Sequence, residues 1–277
     1  MKLQLKIVPL LIVFLFQFSI CRAQTDVALD PEYGGRIAVS LDKKLAKGIH
    51  LKLEEEIRVD GNFRSLDRLH TTLALDYKVN SFLKVGIGYA LINPYSTSNG
   101  AFKNSRHRFM ADAIGNVRFG DWRLSLKERF QATYRTGSMN EYQNPRTALT
   151  LKSRLKLSYK RFLRIEPYAY LELRNTLNAP VVKANYDGTF YMTDAMSQTG
   201  EAGWFLDSWS GIYVNRLRGS IGFDYLIDKR NRIDISLMAD RTIDKVVDAN
   251  AEGTKLKSYT REKGFLGWIT ISYGYSF

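Results

Sequence analysis

Cysteine is nearly absent from this sequence of 277 residues, in which Cys21 is the single example. Cys21 follows an apolar run, Ile7–Ile20, that comes directly after a short basic start. A basic start, an apolar stretch and small residues before a cleavage point are typical of a secretory signal peptide. We therefore predict that residues 1–23 are removed by cleavage after Ala23 and that residues 24–277 form the mature domain.

The mature chain would then lack cysteine, which excludes disulfide bonds, thiolate catalysis and cysteine-based metal sites. Lipid attachment at Cys21 is the alternative interpretation, but the bulky Ile20 before it is unsuited to that processing. The predicted cleavage lowers the formal net charge from +13 to +10, because Lys2, Lys6 and Arg22 are removed. An exported basic protein meets lipopolysaccharide phosphates or small anionic solutes, and we predict no nucleic-acid partner.

Long apolar runs are also missing after the N-terminal segment, since no later stretch reaches the roughly 18 apolar residues of a membrane-spanning helix. What recurs instead is alternation of apolar and polar residues, which is typical of half-buried β-strands. The alternating segments are Arg36–Leu45, Ile49–Val59, Arg68–Val79, Leu83–Ile92, Arg106–Phe119, Trp122–Arg135, Thr147–Tyr159, Arg164–Asn175, Gly211–Ile227, Arg232–Arg241 and Lys263–Phe277.

The length of these segments distinguishes between two all-β architectures. Strands of soluble proteins usually have about five or six residues, whereas bilayer-spanning strands need about nine to eleven. Many of the segments reach ten residues or more. The sequence therefore predicts an all-β fold, a transmembrane antiparallel up-and-down β-barrel in the outer membrane of a Gram-negative bacterium.

The connections between the segments alternate between short and long, as they do between the periplasmic turns and outer loops of bacterial barrels. Closed single-chain barrels of this kind normally have an even number of strands, and we predict about twelve, within a range of about ten to fourteen. The eleven segments would become twelve with a short strand between Thr25 and Gly34. Two further strands inside the long connection Thr176–Ser210 would give fourteen.

The final segment has one apolar face that ends in a terminal aromatic residue. Its members are Ile269, Ile271, Tyr273, Tyr275 and Phe277. This pattern resembles the C-terminal strand that the outer-membrane assembly machinery recognises by edge-to-edge strand addition. We predict that this machinery is a partner during biogenesis.

The mature chain also resembles a family of uncharacterised, Bacteroidota-type outer-membrane barrels, DUF2490. The resemblance depends on strand and turn patterns in three regions, which are Leu41–Leu45 with Leu51–Arg58, Arg68–Leu73 with Leu75–Tyr77, and Asn215–Arg218 with Phe223–Tyr225. The resemblance implies the barrel fold and the outer-membrane location. It implies no activity and no site residues.

The polar face of the alternation is rich in basic residues. Rings of Lys and Arg favour anions in pores, but acidic residues on the same face could instead neutralise them and plug a narrow lumen. We favour a filled or nearly filled lumen. The densest part is a predicted basic ladder on two successive segments, formed by Arg123, Lys127, Arg129, Arg135, Lys152, Arg154 and Lys156.

Two acidic residues do not fit the pattern, because Glu55 and Glu128 fall on the apolar face. A charge in the middle of a bilayer is costly. A β-bulge beside either residue would turn its side chain inward, which is the one explanation that the pattern offers.

The connection Thr176–Ser210 contains several aromatic residues that suit carbohydrate stacking or a protein partner. It could equally fold inward as a constriction or add strands. The extracellular binding candidates are Tyr186, Phe190, Tyr191, Trp204, Phe205 and Trp209.

Our leading hypothesis is a non-enzymatic, porin-like barrel without metal or cofactor. It would be a narrow anion-preferring pore or a binding and scaffolding component, with a small anionic solute or a protein as its partner. The rival hypothesis is a lipid-modifying hydrolase that uses His107 and Ser105, because these residues share the lipid-facing side of one segment. Against it, no oriented base or oxyanion group follows at matching spacing.

Overall fold

The computed structural model describes residues 25–185, 203–251 and 256–277. The described residues form strands joined by turns and loops, and among them no helix is long and apolar enough to cross a membrane. The strands are β1 (Thr25–Ala28), β2 (Glu32–Ala46), β3 (Ile49–Asp60), β4 (Ser65–Lys78), β5 (Leu83–Ser96), β6 (Ala101–Phe102), β7 (Arg106–Phe119), β8 (Trp122–Arg135), β9 (Thr147–Tyr159), β10 (Ile165–Asn185), β11 (Gly203–Leu226), β12 (Asn231–Ala249) and β13 (Leu256–Ser276).

Successive long strands pair antiparallel, and β13 returns to pair with β2, which closes the sheet into a barrel. Over the described ranges the wall contains eleven strands, while β6 only pairs with the end of β5. Turns are short at one end of the barrel and connections are long at the other. We call these ends the short-turn end and the long-loop end. The predicted all-β, up-and-down barrel is therefore confirmed.

The number of wall strands is odd and not even as expected, because β2 and β13 pair in parallel. The short strand predicted near Thr25 exists as β1, but it pairs with the same edge of β13 as β2 does, opposite Thr260–Lys263. It therefore extends the line of β2 and adds no position to the wall. The described wall has eleven strands for this reason, inside the predicted range.

The two faces of the wall have opposite chemistry. Apolar side chains point outward and are largely exposed, as for Ile37 (60%), Ile87 (65%) and Ile221 (63%) on three separate strands. Full transfer of such a side chain from water to an apolar environment is favourable by about 1.5–3 kcal/mol of free energy. A continuous belt of this kind indicates a hydrocarbon environment, as in a transmembrane barrel.

Small and large residues interlock where the parallel seam closes. Gly34 lies opposite Trp268, and a Cβ atom at Gly34 would be only 2.6 Å from the Trp268 ring. Tyr33 lies opposite Gly267 in the same way. The last residue completes the seam, since the N–H of Phe277 donates to the carbonyl of Asp42 at 2.9 Å.

The predicted long connections prove to be partly strand. β10 and β11 remain paired up to Asn185 and Gly203, and β12 and β13 remain paired up to Ala249 and Leu256. β9 stops pairing with β10 at Thr176, so the upper part of the β10–β11 hairpin projects beyond its neighbour in the wall. Within the described residues, Thr176–Ser210 lengthens two strands rather than adding two new ones.

The short turns are stabilised locally. In the turn between β11 and β12, the carboxylate of Asp228 accepts hydrogen bonds from the backbone N–H groups of Arg230 and Asn231, each at 2.7 Å. These donors hold the pKa of Asp228 below its ordinary value, because they favour the ionised form. Gly48 and Gly120 occupy turns at positive φ, 80° and 57°, where a side chain would strain the backbone.

Candidate functional site

The middle of the barrel lumen contains a cavity of about 450 Å³ that is lined by inward side chains of strands all around the wall. Eleven of the lining residues are Lys or Arg and six are Asp or Glu, an excess of five positive charges. A low-dielectric wall with one sign of charge raises the local concentration of the opposite ion. The lining therefore carries a positive excess.

The predicted basic ladder lies on the inner faces of β8 and β9, and most of it reaches this cavity. Two of its members lie elsewhere. Arg123 lines a separate opening of about 610 Å³ at the short-turn end, and Arg135 pairs in register with Arg106 near the long-loop end. The ladder residues that line the central cavity are Lys127, Arg129, Lys152, Arg154 and Lys156.

Most of these ladder cations are fixed by carboxylates. Asp112 of β7 accepts a two-point contact from Arg129, at 2.6 and 2.7 Å, and an ion pair from Lys127 at 2.8 Å. Glu172 of β10 accepts a hydrogen bond from Arg154 at 2.8 Å. Charge-assisted contacts of this geometry hold both partners rigidly. The ladder is therefore largely a set of ordered ion pairs.

A second group of ion pairs surrounds Asp240 of β12, whose side chain has no exposed surface. Arg218 donates to both of its oxygens, at 2.5 and 2.7 Å, and Arg216 lies 3.4 Å away. Removing one partner of such a pair leaves a buried charge and typically costs about 3–5 kcal/mol. This cluster makes the wall rigid on the β11–β12 side of the lumen.

Aromatic residues line the lumen beside the ladder. They are absent from the site residues predicted from the sequence. Tyr168 and Tyr170 of β10 stack with centroids 6.4 Å apart, and the hydroxyl of Tyr168 donates to Asp234 at 2.7 Å. Cations lie over their rings, Lys156 at 3.5 Å and Arg154 at 4.4 Å. The signal was available, because both tyrosines alternate with outward Ala169 and Leu171. The basic and aromatic groups therefore form one continuous surface.

The two acidic residues on the apolar face remain outward, and no β-bulge turns either of them inward. Register is unbroken between β7, β8 and β9 around Glu128, and between β2, β3 and β4 around Glu55. Each carboxylate instead accepts a hydroxyl from the next strand, Glu128 from Ser153 at 2.6 Å and Glu55 from Thr71 at 2.9 Å. A neighbouring donor thus satisfies a polar group that alternation leaves in the apolar belt.

At the long-loop end, the connection of residues 136–146 between β8 and β9 contacts the tip of the β12–β13 hairpin. The side-chain amide of Asn140 donates to the carbonyls of Ala249 (2.8 Å) and Asn250 (3.0 Å). That of Gln143 donates to Asp248 at 2.7 Å. β10 and β11 separate these elements in the wall, so the contacts bridge parts of the rim that are not neighbours.

The predicted aromatic binding residues are only partly described. Tyr186, Phe190 and Tyr191 lie outside the described residues. Trp204 and Phe205 belong to β11, but their side chains are outside the described part. The indole N–H of Trp209 donates to the carbonyl of Glu141 at 3.1 Å, which ties β11 to the β8–β9 connection.

Ser105 and His107, the residues of the hydrolase hypothesis, have separate hydrogen-bond partners. The hydroxyl of Ser105 donates to Asn93 at 2.7 Å. The ring of His107 meets the hydroxyl of Tyr89 at 2.6 Å. Within the described residues, no cluster of three or more metal-ligating side chains occurs.

Comparison with known families gives one clear result. A family model described as a protein of unknown function, DUF2490, matches residues 37–245, most of the chain. The chain belongs to the DUF2490 family. The DUF2490 match runs from β2 into β12 and so includes the predicted ladder and the acidic residues that pair with it.

Two further comparisons were with curated proteins and with solved structures. No curated protein matches this DUF2490 chain. Among solved structures, the outer-membrane expressed OmpT of Vibrio cholerae aligns with a TM-score of 0.36 and 11% sequence identity. The alignment covers 78% of this chain and 57% of that chain, so the chain spans little more than half the length of OmpT.

Proposed function

We propose that the chain is an exported outer-membrane barrel whose lumen is a narrow, anion-preferring pore. Cleavage of a signal peptide after Ala23, contact with lipopolysaccharide and recognition of the last strand by the assembly machinery belong to the same proposal. One observation supports the pore above all: the excess of five positive charges around the central cavity.

The arrangement of these charges explains why the pore would be narrow. Ion pairs such as Arg129–Asp112 and Arg154–Glu172 hold long side chains across the lumen surface. Glu54 of β3 and Arg129 of β8 both line the same cavity, so charged side chains reach it from well-separated strands. Small solutes would pass between fixed groups, and the unbalanced positive charge would favour anions.

Planar-bilayer recording of the purified full-length mature protein tests this proposal. In a salt gradient we expect small current steps and a reversal potential on the anion-selective side. Replacing Arg129 and Arg154 by Gln lowers the positive excess from five to three, so anion selectivity should fall. The same substitution at Arg161, exposed in the turn between β9 and β10, should leave selectivity unchanged.

The recording also separates the pore from the alternative role. Cation-selective steps would contradict the proposal, and so would a bilayer that stays silent. A silent bilayer would favour the binding and scaffolding role, for which the long β10–β11 and β12–β13 hairpins offer the scaffold.

We further propose that the barrel is not an enzyme. In support, Ser105 and His107 each hydrogen-bond to a different residue rather than to one another. Phospholipid hydrolysis by the purified protein that disappears in His107→Ala would overturn this view. If the unaltered protein does not hydrolyse phospholipid, the lipid-hydrolase hypothesis has no support.

A further inference from the structure

Three cations on the cavity surface differ from the rest of the lumen, because the ion pairs between described residues do not include them. They are Arg36 of β2, Arg108 of β7 and Lys152 of β9, and all three line the central cavity. Arg36 is only 6% exposed. Its guanidinium stacks on the Trp268 ring at 4.4 Å but has no carboxylate partner among the described residues. An unpaired buried cation is destabilising, and a bound anion would relieve this cost.

Unused hydrogen-bond groups occur around Arg36. Among the described residues, its Nε has no hydrogen-bond partner, and the same is true of Nε2 of His70 and Oγ of Thr270. Thr270 lies directly opposite Arg36 across the parallel seam, and both His70 and Thr270 line the cavity. Leaving such a buried group unpaired costs free energy, which a ligand with several acceptor oxygens would recover.

These groups share the lining of one cavity. Arg36, Arg108 and Lys152 all line it together with His70, which is 5% exposed. Carboxylates of this lining are paired with other cations, Glu56 with Arg58 at 2.6 Å and Glu172 with Arg154 at 2.5 Å. The lining therefore holds more positive charge than its own carboxylates neutralise.

We propose that Arg36, Arg108 and Lys152 form a binding site for a dianionic phosphate group in the central cavity, with His70 and Thr270 as further hydrogen-bonding groups. A phosphate supplies two negative charges and several acceptor oxygens, and the planar guanidinium group matches its geometry. A chloride ion supplies one charge and no directional acceptors. A cavity of about 450 Å³ is large enough for a small phosphorylated solute. This proposal rests on the proposed function in one respect, since both require solute access to the lumen.

Titration calorimetry with inorganic phosphate tests the site, using the detergent-solubilised full mature barrel at a pH where phosphate is dianionic. We expect saturable binding that is stronger than binding of chloride. Arg36→Met and Arg108→Met should each raise the dissociation constant about tenfold or more, because each removes a charged hydrogen-bond donor. Arg161→Met, in an exposed turn, should leave it unchanged.

A comparison with Arg232→Met distinguishes a site from diffuse positive charge. Arg232 also lines the cavity, but it lies 3.4 Å from Asp224 and is paired with it. Its loss removes the same charge from the cavity and should weaken phosphate binding far less than the loss of Arg36. Equal weakening by all three lumen substitutions would overturn the site, as would absence of saturable phosphate binding to the unaltered barrel.

The melting temperature distinguishes a phosphate-binding role of Arg36 from a purely structural role. Phosphate should raise the melting temperature of the unaltered barrel but not that of Arg36→Met. In phosphate-free buffer Arg36→Met should melt no lower than the unaltered barrel, because the variant loses an unpaired buried charge. If Arg36→Met does not fold, Arg108→Met on another strand tests the same site.

The outcomes for the pore and for the site are distinguishable. A silent bilayer together with phosphate binding that depends on Arg36 would contradict the proposed pore and support the proposed phosphate site. Anion-selective current from a barrel that does not bind phosphate would contradict the proposed phosphate site and support the proposed pore.

Discussion

Glu128 lies halfway along β8 on the outward face, between Leu126 and Phe130 of the same face. Its partner Ser153 is only 2% exposed although it shares that face. The carboxylate accepts the hydroxyl of Ser153 through one oxygen, and its other oxygen has no partner among the described residues. The hydroxyl of Ser153 thus satisfies one carboxylate oxygen of Glu128 within the apolar belt.

This pairing predicts coupled effects on stability. Ser153→Ala alone should lower the free energy of unfolding by about 1–3 kcal/mol, because it leaves a carboxylate unsatisfied in the apolar belt. The double variant Glu128→Leu, Ser153→Ala should be at least as stable as the unaltered barrel, since both polar groups are gone. Urea unfolding from phospholipid vesicles measures both. If Ser153→Ala proved neutral, the hydrogen bond would contribute nothing in the bilayer.

At the scale of elements, the seam between β2 and β13 differs from the rest of the wall in strand direction, because it is parallel. Every other pairing of neighbouring wall strands within the described residues is antiparallel. The seam depends on Gly34, because its missing side chain leaves room for the Trp268 ring, over which Arg36 lies at 4.4 Å. Packing at the seam therefore also positions a residue of the proposed phosphate site.

A substitution at the seam tests this dependence. Gly34→Val should lower the free energy of unfolding by about 1–3 kcal/mol or more, since the new side chain collides with Trp268 and with the carbonyl of Val59. Gly115→Val on β7 is the matched control, because nothing lies within 4 Å of its Cβ position. The control should be neutral or slightly stabilising. Equal losses in the two variants would show that the seam has no special packing.

On the scale of the whole molecule, contacts join distant parts of the long-loop end. The β8–β9 connection joins the β12–β13 hairpin through Asn140 and Gln143. Tyr142 of this connection packs against Val247 and Ala249, which are 3% and 2% exposed. We infer that the connection restricts the long-loop entrance of the proposed pore.

Loosening this connection should change conductance without changing selectivity. Asn140→Ala with Gln143→Ala removes the side-chain hydrogen bonds to the hairpin, so we expect larger and noisier current steps. The reversal potential should not move, because the charged lining of the cavity is intact. Asn99→Ala, in the connection between β5 and β6, serves as the control. Unchanged step size in the double variant would mean that the contacts do not control entry.

Alternation along the sequence was sufficient to predict the elements and their two faces. The segments Arg106–Phe119, Trp122–Arg135 and Thr147–Tyr159 are identical to β7, β8 and β9. Their inward ladder residues follow from the same pattern. These features are local, because each residue's face depends only on its position along its own strand.

Only the tertiary structure decided which side chains meet and how the barrel closes. Arg36 faces Thr270 from the other end of the chain, and Ser153 satisfies Glu128 from the next strand. Parallel closure and the unpaired state of Arg36 likewise depend on register between strands that are remote in sequence. Alternation within one strand contains no information about that register, which is why the sequence determined the wall and the fold determined the site.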